Sequence, residues 1–160
     1  MNKMILALLA ALIAAVPLNS YAESPLESLS PELSALLKQE MVAIQGGMQN
    51  IVPAFAAGDF GSVSDIAGKI KNSFILKQKM SDEQRHELHE KLPPGFIAKD
   101  QQFHRYAGML EHVSEKKNTE LVSFYYSKML ESCIACHSEY AAHRFPDLNT
   151  KAEKEAHHHH

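Results

Sequence analysis

Apolar residues recur along the first part of the chain at helical spacing. They stand three or four positions apart, at Leu33, Leu37, Met41, Ile44, Met48, Ile51 and Phe55. A period near 3.5 residues is typical of helices that pack in bundles. Ser30-Pro31 provides a capping hydroxyl followed by a proline suited to the first turn, and Gly58-Asp59 ends the segment. The pattern therefore predicts a long first helix with Met41 on its inward face.

Further apolar stripes predict three more long helices and one short one. The second helix is predicted over 63–80, a short extra helix over 81–91, a third through 103–113 that closes at 117–118, and a fourth from 119 to a stop at 145–146. Ser81 and Gln84 form a capping-box sequence, and Pro93-Pro94-Gly95 breaks the chain. No convincing strand pattern is present. The prediction is an all-α, antiparallel four-helix bundle over roughly residues 30–146.

The two ends of the chain differ from this domain. Lys3 precedes an apolar run over 4–16, and Ser20-Tyr21-Ala22 places small residues at the positions that a signal peptidase reads. We therefore predict a signal peptide over 1–22, cleaved after Ala22, with export to the periplasm. The apolar run is too short to cross a bilayer of ~30 Å, so no stable membrane insertion is expected.

The predicted domain covers 23–150, and a polar tail covers 151–160. Four consecutive histidines at 157–160 are interpreted as the remnant of a purification tag, with a native metal-binding tail as the alternative.

Composition narrows the classes of function. The chain has 160 residues, 45% of them hydrophobic, and a formal net charge of −3. Cleavage after Ala22 removes Lys3 and no acidic residue, which leaves 15 basic and 19 acidic residues and a net charge of −4. A general nucleic-acid-binding protein would carry a basic excess instead. No paired carboxylates, Ser-His-Asp constellation or phosphate-binding loop is evident, so we predict no enzymatic activity.

The chemistry is concentrated in Cys133-Ile134-Ala135-Cys136-His137, which includes both cysteines of the chain. This spacing is the attachment signature of a c-type haem. On a helix, Cys133 and Cys136 project to nearly the same side, so both can form thioethers with the vinyl groups of one haem. His137 is then the proximal iron ligand. The predicted cofactor is one covalent haem c.

Three other interpretations of the cysteine pair stay open. A thioredoxin-type redox pair needs the motif at a helix N-terminus after a strand, whereas here it lies deep within a predicted helix. A zinc site would need two further ligands, for which His86 and His89 are the available candidates. A plain disulfide between Cys133 and Cys136 would strain a helix.

A haem motif so close to the C-terminus resembles that of the class II c-type cytochromes, which include cytochrome c′ and its methionine-ligated relatives. The resemblance covers roughly residues 30–146. It rests on the late motif followed by Tyr140, on Met41-Val-Ala-Ile44 leading to Gly46-Gly47-Met48, and on the Gly58-Asp59 break. The chain departs from the family at Ile134 and Ala141, where basic residues are common.

The resemblance implies a sixth iron ligand at Met41 and a role in electron transfer with redox partner proteins of the periplasm. Met48 and His104 are alternative ligands, although Met48 suits core packing and His104 a half-buried surface. An open sixth position would instead imply a five-coordinate protein that binds NO or CO. Dimers formed through the first two helices are common in the family, so a homodimer is allowed. A haem-free interaction module is the remaining alternative.

Overall fold

The computed structural model describes residues 25–148. The predicted signal peptide (1–22) and the polar tail (151–160) lie outside the described residues. The helices are α1 (Pro31–Ala56), α2 (Phe60–Lys71), α3 (Leu76–Lys79), α4 (Asp82–Lys91), α5 (Pro94–Glu115) and α6 (Thr119–Tyr140), with 3₁₀ helices at Pro25–Ser28 and Pro146–Leu148. No strand occurs within 25–148, which confirms the all-α prediction there. Over the same residues, no helix is long and apolar enough to cross a membrane.

Side-chain caps set the beginning of α1, as the sequence predicts, and of α2, which begins at Phe60 and so before the predicted start at Val63. The Ser30 hydroxyl accepts a hydrogen bond from the Leu33 N–H at 3.4 Å. The chain leaves α1 through Gly58, whose φ of +72° is a left-handed conformation that favours glycine. Asp59 then accepts from the Ser62 N–H at 3.0 Å and opens α2. These contacts satisfy backbone donors that a helix start leaves unpaired.

The second helix is shorter than predicted, because α2 ends at Lys71 and not near Met80. Ser73 has a φ of 62°, which interrupts the helical path. The carboxylate of Glu40, from α1, accepts the next three backbone N–H groups: Phe74 at 2.9 Å, Ile75 at 2.6 Å and Leu76 at 3.1 Å. These donors would otherwise be unpaired at the start of α3. A tertiary contact therefore sets this break, and a local apolar pattern cannot reveal it.

The later boundaries agree with the sequence prediction only in part. The capping box of Ser81 and Gln84 opens α4, as predicted. Helix α5 begins at Pro94, inside the predicted break and well before the predicted apolar stripe over 103–113. Asn118 caps α6 by accepting from the Leu121 N–H at 3.0 Å. The predicted stop at 145–146 is wrong, since α6 ends at Tyr140. The Ala141 N–H still donates to the His137 carbonyl, and a turn follows.

The close helix interfaces join α1 to α2, α2 to α5, and α5 to α6. They enclose two apolar clusters. The central cluster consists of Ile44, Met48, Ile51, Val63, Ala67, Ile70, Phe103, Ala107, Leu110, Val113, Val122 and Met129. The terminal cluster consists of Leu29, Leu33, Leu37, Leu92, Phe96 and Tyr140. Helices α1, α5 and α6 each contribute side chains to both clusters.

Replacing Glu40 with alanine should destabilise the fold. Three N–H groups would lose their acceptor in a buried setting, at a cost of ~1–3 kcal/mol for each unsatisfied group, so we expect a loss of about 3 kcal/mol or more. Urea unfolding followed by far-UV circular dichroism measures this loss. Gln39→Ala, at the exposed neighbouring position, is the control and should change stability by less than about 0.5 kcal/mol. Equal effects of the two substitutions would contradict the role given to Glu40.

Candidate functional site

The Cys-x-x-Cys-His motif lies in the last turns of α6 (Thr119–Tyr140), on continuous helix as predicted. Cys133 and Cys136 are both half-buried, and neither forms a disulfide. Residues three apart on a helix are surface neighbours, so the two thiols lie on one side of α6. Tyr140 is buried one turn after the motif, with its ring at 5.3 Å from that of Phe96 on α5. That contact holds the end of α6 against α5.

The two thiols belong to different parts of the core. Cys133 packs against the central cluster, and Cys136 packs against the terminal cluster. The motif therefore spans the boundary between the two clusters, with apolar side chains on either side. A flat apolar group attached to both sulfurs would contact both clusters.

Burial keeps both thiols protonated. It raises the pKa of Cys133, and together with the negative charge of Asp100 it raises the pKa of Cys136 to about 11. A thioredoxin-type pair requires the opposite, a lowered thiol pKa at a helix N-terminus. The redox-pair interpretation therefore conflicts with both the position and the acidity of these thiols. The disulfide interpretation conflicts with the free state of both cysteines.

His137 is half-buried at the start of the last turn of α6. Burial lowers the pKa of its imidazole, which favours the neutral form that ligates metals. Its ring stacks on that of Phe145, with centroids 4.3 Å apart and planes at 5°. Neither ring nitrogen has a hydrogen-bond partner within 25–148. The imidazole is therefore available as a ligand.

The terminal cluster places the start of α1 beside the end of α6, because Leu33 and Leu37 share it with Cys136 and Tyr140, and one hydrogen bond joins the two helices further along. The Tyr126 hydroxyl donates to the Met48 carbonyl at 3.3 Å. Met41 lies seven residues before Met48 and Cys133 seven residues after Tyr126, so each is ~10 Å from the contact in the same direction. The shared cluster of Leu37 and Cys136 agrees with this register. Met41 is therefore level with Cys133.

The prediction that Met41 lies on the inward face of α1 is wrong. It is 40% exposed, whereas Glu40 is 1% exposed. The Glu40 carboxylate is hydrogen-bonded at the start of α3, and the Met41 side chain lies ~100° further around α1. Met48, two turns further along α1, is buried in the central cluster, as predicted.

Exposed apolar residues follow one ridge of α6. Leu130 and Ile134 come four and eight residues after Tyr126, and both are exposed. Met41, on α1, is also exposed. Exposed apolar residues that line up on a helix in this way indicate a surface that receives an apolar group.

The other histidines are placed much as predicted. His104 is half-buried, with Nδ1 2.7 Å from the Ile70 carbonyl oxygen and Nε2 3.5 Å from Asp100 Oδ1. Both nitrogens are therefore engaged by protein, which argues against iron ligation. The surface histidines His86, His89, His112 and His143 are exposed. Within 25–148 no group of three or more His, Cys, Asp or Glu side chains is arranged to hold a metal ion, so the zinc interpretation gains no support.

Two residues that matter here were missed in the sequence. Phe145 was interpreted only as part of a helix stop, although an aromatic residue before a proline, eight positions after His137, was the available signal. Glu40 gave a weaker signal, a carboxylate adjoining the apolar stripe of α1.

Comparison of the chain with protein-family models, with curated proteins and with solved structures finds no match. The function must therefore be inferred from its own residues, foremost Cys133, Cys136 and His137.

The ionisation of His104 should make stability depend on pH. Burial alone would lower the pKa of this imidazole. The hydrogen bond to Asp100 and its charge outweigh burial and raise the pKa above 6.5, with smaller contributions from the Ile70 carbonyl and the charge of Glu40. The charged form thus stabilises the fold fully below the unfolded pKa, and this stabilisation is lost as pH rises through the folded pKa.

We therefore expect His104→Gln to lose more stability at about pH 5.5 than at about pH 8.5, measured by urea unfolding. Asp100→Asn should remove most of this dependence. His112→Gln, at an exposed position of the same helix, is the control. An identical loss at both pH values would rule out the ion pair as the origin.

Proposed function

We propose that this chain is a periplasmic, monohaem c-type cytochrome that carries electrons. The observation that carries the proposal is the placement of Cys133, Cys136 and His137 on one helix, with both thiols free and packed against two adjoining apolar clusters. Helices α1, α2, α5 and α6 would then form an antiparallel four-helix bundle, an arrangement similar to that of the class II c-type cytochromes.

The donor set fits a covalent haem. Two unpaired, protonated thiols three residues apart on one helical face suit thioether formation with two vinyl groups. His137 offers a neutral imidazole whose nitrogens have no partner within the described chain. Met41 offers a thioether sulfur at the level of Cys133. Haem, when bound, supplies a one-electron redox centre.

The residues around the site suit electron transfer better than substrate chemistry. A histidine and a methionine as the two axial ligands raise the reduction potential and leave no coordination position for a substrate. Apolar residues of both clusters pack against the two thiols, and a haem held there would lie beside them, which would also affect the potential. We assign no catalytic residue and propose no enzymatic activity.

A second candidate function is the binding of NO or CO at a five-coordinate iron. It is favoured by the 40% exposure of Met41, because a side chain in solvent is not held toward Cys133 by packing. The two functions differ in a single ligand and are separated by experiment below.

Export and partners follow from the proposed signal peptide, residues 1–22. In the periplasm the mature chain would exchange electrons with partner proteins, and its net charge of −4 favours a partner with a basic surface. A homodimer is compatible with this function, whereas nucleic-acid binding and membrane insertion form no part of it.

Covalent attachment is the first test. Coexpressed with a cytochrome c maturation system, the full chain should give a haem-stained band that persists on a denaturing gel, because thioethers survive denaturation. The double variant Cys133→Ala/Cys136→Ala should lose the band completely. Ser138→Ala, next to the motif, is the control and should keep it. An unstained wild-type chain at normal expression would overturn the proposed function.

Substitution of Met41 tests the sixth ligand. The ferric wild-type holoprotein should show the red-edge band of methionine–iron ligation, and its ferrous form should not bind CO. Met41→Ala should lose the band and bind CO stoichiometrically, as judged from optical spectra. Met109→Ala is a matched control, because Met109 on α5 is 42% exposed. CO uptake by the wild-type holoprotein would instead support the gas-binding function, and a band that persists in Met41→Ala would show that another residue is the ligand.

A further inference from the structure

We propose that Phe145 is a positioning residue that fixes the plane of the His137 imidazole. The proposal rests on the proposed function, in which His137 ligates iron. It concerns a residue outside α6 and outside the haem-attachment motif, in the turn that follows the helix.

The stack constrains the ring of His137 without using its ligand atoms. The two rings are 4.3 Å apart and nearly parallel, at 5°, so Phe145 covers one face of the imidazole. A ring nitrogen binds metal through a lone pair in the ring plane, perpendicular to the stacking direction. Both nitrogens are unpartnered within 25–148. Stacking and ligation can therefore occur together.

Backbone contacts hold Phe145 in place. The Ala141 N–H donates to the His137 carbonyl at 3.1 Å, and the Phe145 N–H donates to the Ala141 carbonyl at 3.1 Å. Pro146 restricts the backbone of the residue before it and begins the 3₁₀ helix Pro146–Leu148, which packs against α6. The chain thus turns back along α6, and the turn itself sets the position of the Phe145 ring.

The side chain of Phe145 is not a core residue. It is 39% exposed, and its ring stacks on the ring of His137. A ligating histidine normally has its orientation set by a hydrogen bond from its other nitrogen. Here that bond is absent within the described residues, and the aromatic stack is the contact that limits ring rotation.

Proton NMR of the ferric holoprotein tests the proposal, because the spread of the paramagnetically shifted haem methyl signals depends on the plane of the axial imidazole. We expect Phe145→Leu to change this spread and Phe145→Tyr, which keeps the ring, to retain it. Haem content, measured by stain, should be equal in all variants. Phe124→Leu is the control, because Phe124 is an exposed aromatic residue that lies on α6 and away from His137. An unchanged spread in Phe145→Leu at full haem content would overturn the proposal.

A second measurement does not need haem. In the haem-free full chain, the ring protons of His137 should show an upfield ring-current shift that Phe145→Leu abolishes and Phe145→Tyr keeps. Absence of this shift in the wild-type chain would show that the stack does not form in solution and would overturn the positioning role. Absence of covalent haem from the wild-type chain would instead overturn the proposed function, so the two failures are distinguishable.

Discussion

The carboxylate of Glu40 is the contact on which the arrangement of the helices depends. A buried carboxylate is costly to remove from water and persists in a fold only when its lone pairs are well satisfied. Here three consecutive N–H groups, at residues 74–76, supply that satisfaction. The same bonds end the second helical stripe early and lock α1 in rotation about its own axis. Because residue 40 points inward, the neighbouring Met41 is left 40% exposed.

Contacts between α1 and α6 connect the packing of Glu40 to the Cys-x-x-Cys-His motif. Tyr126 contacts the backbone of α1 near its middle, and Tyr140 holds the end of α6 against α5. Cys133, Cys136 and His137 lie between these two aromatic residues. Glu40 and the motif thus belong to two helices that contribute to the same two apolar clusters.

Much of the fold could be predicted because its signals are local. Ser30, Ser81 and Asn118 cap helices through neighbours three residues away. The placement of the cysteine motif on continuous helix is predictable for the same reason, because helical spacing is a local signal. The end of α2 and the exposure of Met41 could not be predicted, because both depend on Glu40 reaching residues more than thirty positions away. The position of Phe145 depends on a turn whose geometry the apolar pattern does not encode.

Burial of the two thiols also governs how fast they oxidise. Thiol oxidation and disulfide exchange proceed through the thiolate, and with a pKa of about 11 only about one Cys136 side chain in ten thousand is ionised at neutral pH. An exposed pair with ordinary thiol pKa values would react with small disulfides far faster. Within the folded chain, the low dielectric around α6 therefore slows the oxidation of both sulfurs.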